Sequence, residues 1–163
     1  MTQLDVQIAQ NRKELKRCPP GHTGRAEALT DLAYYLRERF QETDVIADLD
    51  EAIGLHWTAL GLRPEGHSDR HESLHNLAWC LVERYCKQGT LPDLEQAITF
   101  ERATLDLRPE GHPDRSESLN NLSFYLKNRY DEQGNMADLE ESITLGQAAL
   151  ELWPSGHCSS HCS

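Results

Sequence analysis

Histidine and cysteine side chains recur in this chain in patterns that would suit metal binding. Zinc favours His and Cys ligands, and histidines 45 residues apart end each PxGH motif: His22, His67, His112 and His157. Packed helices lie about 8–10 Å apart, whereas zinc ligands sit roughly 2 Å from the ion. Equivalent histidines of successive units therefore cannot converge on one metal. The Gly-His pairs are predicted to form turns instead.

The C-terminal tail combines the same residue types, because His157-Cys158 is followed by His161-Cys162. Its spacing matches no standard zinc finger, and one short stretch does not readily supply a rigid four-ligand cage. Residues 158–163 are therefore predicted to be a disordered tail. We expect neither a metal nor a cofactor.

Catalytic motifs are also missing from the sequence, which has no nucleophile elbow, no phosphate-binding loop and no HExxH. Cys80 and His75 lie five residues apart on a predicted helix. That spacing turns them about 140° apart around the helix axis, so they do not form a dyad on one face. A non-enzymatic protein is expected.

The composition narrows the class of partner and the location. A net charge of −11 disfavours nucleic acid, since such binding rests on clustered Lys and Arg, and it favours basic partners. No apolar run reaches the roughly 18 residues that span a bilayer, and the N-terminal segment lacks the apolar core of a signal peptide. Five cysteines, an odd number, fit reduced thiols. A cytoplasmic protein without membrane contact is expected.

The constant interval between PxGH motifs shows that the chain is a tandem array. Residues 63–107 and 108–152 are identical at 25 of 45 positions. Residues 18–62 form a more diverged full unit, and residues 1–17 align with the second half of one. A period of about 20 to 50 residues is typical of stacked supersecondary units. We predict one repeat domain over residues 1–157.

Each full unit begins with a helix, here called helix A. In the second unit the apolar positions follow the i, i+3, i+4, i+7, i+11 spacing of one helical stripe: Leu74, Leu77, Ala78, Leu81 and Tyr85. Helix A is expected to end near Gly89 and Gly134, because glycine adopts the left-handed C-terminal cap easily. Asp44 occupies this position in the first unit, where we expect a less clean end.

A second helix, helix B, follows in each unit. Its start carries a capping-box pattern, an Asp with Glu or Gln three residues later, at Asp48, Asp93 and Asp138. Proline ends it at Pro64, Pro109 and Pro154. The predicted buried positions of the three B helices are Leu49, Ala52, Ile53 and Leu60; Leu94, Ala97, Ile98 and Leu105; Leu139, Ser142, Ile143 and Leu150. The predicted fold is all-α, an α-solenoid of antiparallel helix hairpins with about seven helices.

These landmarks resemble the tetratricopeptide repeat, in which a small residue follows the core Leu of helix A and another opens helix B. Leu77-Ala78, Ala97 and Pro109 carry the resemblance. The usual repeat has about 34 residues, so this unit is longer. Residues 108–130 and 138–143 are similar to the long variant of mushroom-forming fungi, and Asn-Asn-Leu in helix A resembles kinesin-light-chain repeats. The resemblance implies a superhelix that binds protein.

In the resembled family one face of helix A lines a concave groove that holds a peptide or helix of a partner. A side-chain amide there offers one acceptor and two donors to a partner's backbone, and aromatic rings act as hot spots. The alternative is that the aromatic rings pack between helices and the amides bond the local backbone. The groove positions that the resemblance implies are Asp31, Tyr34, His75, Asn76, Trp79, Asn120, Asn121, Phe124 and Lys127.

Two further hypotheses concern the rest of the array. Recurrent arginines are expected to bond carboxylates and helix ends, with a row for partner binding as the alternative: Arg25, Arg70 and Arg115; Arg39, Arg84 and Arg129. The array is alternatively a spacer or oligomerising fragment without a ligand. Terminal repeats need polar outer faces, and residues 4–15 and 139–152 carry apolar ones. That alternative predicts self-association.

Overall fold

The computed structural model describes residues 2–152, and these residues form seven α-helices and no strand. This confirms the predicted all-α array of helix hairpins, in the order of one B helix followed by three A-B pairs. Pro154, His157 and the predicted disordered tail lie outside the described residues. The helices are α1 (Gln3–Arg17), α2 (Arg25–Thr43), α3 (Ile46–Gly61), α4 (Arg70–Gln88), α5 (Leu91–Leu107), α6 (Arg115–Gln133) and α7 (Met136–Leu152).

The chain divides into two compact bodies, an N-terminal body of Met1–Thr104 and a C-terminal body of Leu105–Ser163. These bodies are distinct from the 45-residue units of the sequence. In the N-terminal body α2 packs on α1 and α3, and α3 packs on α4. In the C-terminal body α6 packs on α7. The predicted helix A stripes supply much of the buried apolar surface, with Leu36, Leu77 and Leu126 each fully buried. Helix periodicity in the sequence therefore identified the core-facing side of each A helix.

The A helices end in left-handed caps, as predicted for Gly89 and Gly134, which have φ of 67° and 69°. Asp44 adopts the same conformation with φ of 58°, contrary to the expected irregular end. The cap N–H of each residue donates to a helix carbonyl 2.7 Å away, from Asp44 to Phe40, for example. Aspartate is one of the few side chains that tolerates this backbone region.

The capping-box prediction for helix B is wrong. Helix α3 begins at Ile46, so Asp48 lies inside its first turn, and Val45 makes no side-chain cap. The Asp48 carboxylate instead accepts two hydrogen bonds from Arg39, from Nε and Nη2, each at 2.7 Å. Asp48 is 5% exposed, and burial of a carboxylate requires such a partner.

The same bidentate ion pair recurs in the other two hairpins. Arg84 holds Asp93 with bonds of 2.7 and 2.8 Å, and Arg129 holds Asp138 with bonds of 2.8 and 2.7 Å. These contacts confirm that this set of arginines pairs with carboxylates. Each pair joins the A helix of a hairpin to its B helix near the connecting turn.

The loops that carry the PxGH motif are held by side chains of the motif itself. His67 Nδ1 accepts the Asp69 N–H at 3.1 Å, and Gly66 has φ of 86°. Buried Arg63 donates to Ser73 Oγ at 3.0 Å. Arg70 donates to the Arg63 carbonyl at 2.7 Å, and Arg25 and Arg115 bond the equivalent carbonyls. The predicted turn role is confirmed for the motifs at His22, His67 and His112.

Candidate functional site

The nine predicted groove residues lie on the A helices, but they differ in exposure. Asp31 and Tyr34 are exposed on α2, and Trp79 is exposed on α4 beside half-buried Asn76 and buried His75. Helix α6 carries exposed Asn120, Phe124 and Lys127 and half-buried Asn121. The N-terminal body contains two A helices, α2 and α4, and the C-terminal body contains one, α6.

A cavity of about 250 Å³ opens among α2, α3 and α4 of the N-terminal body. Four of the nine predicted groove residues, two from α2 and two from α4, line it together with three further residues. The lining residues are Thr30, Asp31, Tyr34, Arg37, His56, Asn76 and Trp79.

Trp79 is held in place by charged neighbours at the edge of this cavity. The Arg37 guanidinium carbon lies 4.0 Å from the centroid of the Trp79 ring, in cation–π geometry. Arg37 is itself fixed by two bonds to Glu83, from Nε at 2.7 Å and Nη2 at 2.8 Å. The indole is 37% exposed and needs no large rearrangement before it meets a partner, which lowers the entropic cost of binding.

His75 is the predicted groove residue whose position requires a correction. It is 5% exposed, and its Nδ1 lies 3.2 and 3.3 Å from the two carboxylate oxygens of Glu101 on α5. Glu101 is fully buried, so its carboxyl group requires a polar partner from α4. The His75 ring also meets Trp79 edge to face, at 5.8 Å between centroids. His75 thus supports the indole and offers little surface to a ligand.

His56 is a cavity residue that sequence reasoning missed. It is 3% exposed on α3, and its Nδ1 has no hydrogen-bond partner among the described residues. Burial, together with the positive charges of Arg37 and Arg63, lowers the pKa of His56 to about 4. The ring is therefore neutral at pH 7. A buried polar atom without a partner is unusual in a native protein.

The 45-residue register explains why this histidine lacks a partner. Thr30 and His56 occupy the positions of His75 and Glu101 in the next unit, where the two side chains bond each other. In the first unit Thr30 Oγ1 donates to the Ala26 carbonyl at 3.0 Å. The register shows that the two pairs of positions are equivalent, but only the structure shows that their side chains meet.

The polar groove residues have few partners of their own. Asp31 makes no ion pair within residues 2–152, and burial, with a smaller effect of Glu27, raises the pKa of its carboxyl group. The amides of Asn76 and Asn121 make no hydrogen bond to the described residues. Lys127 pairs with Asp131 at 2.6 Å.

The neutral state of His56 predicts how stability depends on pH. The unfolded histidine binds a proton below about pH 6.5, whereas the folded one does so only near pH 4. Its contribution is therefore complete above pH 6.5 and is lost as the pH falls towards 4, with a total near 3 kcal/mol by linkage. Urea unfolding from pH 7 to 4 measures this loss. His56→Leu should flatten the acid limb, and an unchanged limb would contradict the assignment.

Other reactive groups in the described part of the chain show no prepared chemistry. Burial, and to a lesser degree the Glu83 charge, raises the pKa of the Cys80 thiol to about 12, which keeps it protonated at neutral pH. Residues 2–152 contain no cluster of three or more His, Cys, Asp or Glu suited to a metal ion. None of their helices has the length and apolar character needed to cross a membrane.

Comparison with known proteins agrees with the landmarks of the last hairpin. The family model for the tetratricopeptide repeat matches residues 116–157, which include nearly all of α6 and the whole of α7. No curated protein matches the chain. Repeats of this type generally mediate contacts between proteins and are typically non-enzymatic. The match supports a repeat of the tetratricopeptide type in this part of the chain.

Proposed function

We propose that this chain is a non-enzymatic scaffold that binds a peptide or helix of a partner protein along the exposed face of its A helices. The observation that carries the proposal is the cavity among α2, α3 and α4, which is lined by Asp31, Tyr34, Asn76 and Trp79. The long unit of 45 residues, similar to fungal and kinesin-light-chain arrays, and a cytoplasmic location belong to the same proposal.

The amide side chains supply the means of holding a partner's backbone. Asn76 lines the cavity and has no hydrogen bond within residues 2–152. Each amide carries one acceptor and two donors, so it can pair with the N–H and C=O of one partner residue. This absence of local bonds supports binding over the alternative in which the amides satisfy their own backbone.

The aromatic side chains supply apolar contact area. Tyr34 is 51% and Phe124 is 50% exposed, which is more than the packing alternative predicts for these rings. Large aromatic residues dominate the binding energy of many interfaces. Tyr34 and Trp79, on the successive A helices α2 and α4, both line the cavity, which supports recognition of an extended or helical segment.

Selection from a library of random short peptides tests this proposal. Peptides enriched on the wild-type protein should bind the Tyr34→Ala/Asn76→Ala double variant at least roughly tenfold more weakly, since a lost hydrogen bond and a lost aromatic contact each cost about 1 kcal/mol. The double variant Thr58→Ala/Thr99→Ala, exposed on B helices, is the control. Failure to enrich any peptide, or equal binding by both double variants, would refute the proposal.

A second candidate function is favoured by the outer face of α7. Ile143 and Leu150 are 53% and 74% exposed, whereas Ile53 and Ile98, at the position of Ile143, are 5% and 2% exposed. The prediction that Ile143 and Leu150 are buried is therefore wrong within the described residues. In this alternative the array is a structural spacer that associates with a second copy of itself through α7.

Sedimentation equilibrium tests the alternative. The wild-type protein should self-associate at high micromolar concentration, and Ile143→Glu/Leu150→Glu should weaken association by at least roughly tenfold, because each buried aliphatic side chain contributes about 1.5–3 kcal/mol. Circular dichroism should show unchanged helix content. A monomeric wild-type protein at that concentration would remove this candidate.

A further inference from the structure

We propose that the cavity among α2, α3 and α4 is a pocket for one basic side chain, lysine or arginine, of the bound segment. This inference rests on the proposed function and specifies what the scaffold recognises. Three features of the cavity point to a basic side chain: the charged groups near it, its aromatic rim and its volume.

Carboxylates outnumber arginines near the cavity, with Asp31, Glu27, Glu38 and Glu83 against Arg37 and Arg63. Asp31 has no cationic partner among the described residues, and Glu27 lies one helical turn before it and contributes further negative charge. The cation of the lining, Arg37, is neutralised by its two bonds to Glu83 and lies 3.7 Å from Glu38. A cationic side chain would pair with the Asp31 carboxylate, whereas a carboxylate ligand would be repelled by it.

His56 forms part of the cavity wall as a neutral ring. Its Nδ1 lacks a hydrogen-bond partner within residues 2–152. Ammonium and guanidinium groups carry only donors, so they complement the Asp31 carboxylate and the Asn76 amide oxygen, which also line the cavity.

The rim and the volume also fit a single long basic side chain. Tyr34 and Trp79 present exposed rings at the cavity, and cations are attracted to aromatic faces within about 6 Å. The volume of about 250 Å³ lies below the range of about 300–1,000 Å³ that is usual for drug-sized ligands. One side chain is therefore the expected occupant.

The register indicates why this pocket belongs to the first unit. In the second full unit the positions of Thr30, Asp31 and His56 hold His75, Asn76 and Glu101, and His75 and Glu101 bond each other. The acidic group of that unit, Glu101, already has His75 as its partner, whereas Asp31 has no cationic partner among the described residues.

NMR titration of the isotopically labelled full chain tests the pocket with single side chains. The probes are the N-acetyl methylamides of lysine, arginine, norleucine and glutamate. Lysine or arginine should give saturable shifts of the Trp79 indole and His56 ring signals, and the tighter of the two identifies the preferred residue. Norleucine, which keeps the aliphatic chain without the charge, should bind at least roughly fivefold more weakly because the ion pair and the cation–π contact are lost.

Matched variants separate the pocket from general acidity. Asp31→Asn keeps the shape and should weaken the basic probe roughly fivefold. Glu65→Gln makes the same charge change on an exposed loop residue and should alter affinity by less than about twofold, since distant exposed charges are screened. Circular dichroism confirms that each variant is folded.

Two titration results would overturn the pocket. One is equal affinity for norleucine and the basic probes, and the other is unchanged affinity in Asp31→Asn. Selected peptides that bind the A-helix face without any lysine or arginine would also refute the pocket while leaving the scaffold intact. Failure to select any peptide would instead refute the scaffold, so the two failures are distinguishable.

Discussion

Arg84→Ala is expected to lower the free energy of unfolding by roughly 3 kcal/mol, because it leaves Asp93 buried without its cation. Asp93 is 5% exposed and accepts bonds of 2.7 and 2.8 Å from Arg84. The same arginine also donates to Asp50 on α3 at 3.0 Å. Loss of this side chain therefore removes contacts between α4 and two other helices.

Urea unfolding of wild type and variant measures this loss through the midpoint and slope of the transition. Arg12→Ala is the control, since the Arg12–Glu51 pair is exposed on both sides and should contribute less than about 1 kcal/mol. Adding Asp93→Ala to Arg84→Ala should recover part of the stability, because the unpaired buried charge is removed. Equal losses in Arg84→Ala and Arg12→Ala would show that the pair does not stabilise the hairpin.

Trp79→Ala is expected to weaken binding of a selected peptide roughly 30-fold, the effect of a hot-spot residue contributing about 2 kcal/mol. The indole is exposed at the cavity and is fixed by Arg37 and His75. Isothermal titration calorimetry with one selected peptide measures the change.

Trp57→Ala is the matched control for this prediction. Trp57 is 43% exposed on helix B of the first unit, and its ring meets Phe100 edge to face at 5.2 Å. Its replacement should change peptide affinity by less than about twofold, as for residues outside an interface. A larger loss in Trp57→Ala than in Trp79→Ala would place the binding surface on the B helices.

Local sequence signals predicted the helices well because their causes are local. The stripe through Leu77 and the caps at Gly89 and Gly134 depend on residues within a few positions of each other. The exposure of Ile143 was not predictable in this way. It depends on what packs against α7, and the register of the units alone led to the expectation of burial.

The error at Asp93 shows where a local pattern is ambiguous. An Asp followed three residues later by Gln fits a capping box, yet the structure uses the carboxylate to bind Arg84, nine residues earlier. Both residues recur in register with this spacing. The sequence therefore contained the pair, but the capping interpretation required only one of its members.

The candidate site was predicted in part. Tyr34, Asn76 and Trp79 were identified through the family resemblance, and they line the cavity. The burial of His75 and the position of His56 depend on contacts between helices, such as that of His75 with Glu101, 26 residues away. Sequence periodicity carries no information about which side chain of α5 faces α4.

Mapping the bound peptide on the protein tests the proposed function most directly. Amide and side-chain chemical shifts of the labelled chain would be followed as a selected peptide is added to saturation. We predict that the largest changes occur at Tyr34, Asn76 and Trp79, on the exposed face of α2 and α4. Changes confined to Trp57 and Phe100 on the B helices, or to the Ile143 face of α7, would contradict binding along the A helices.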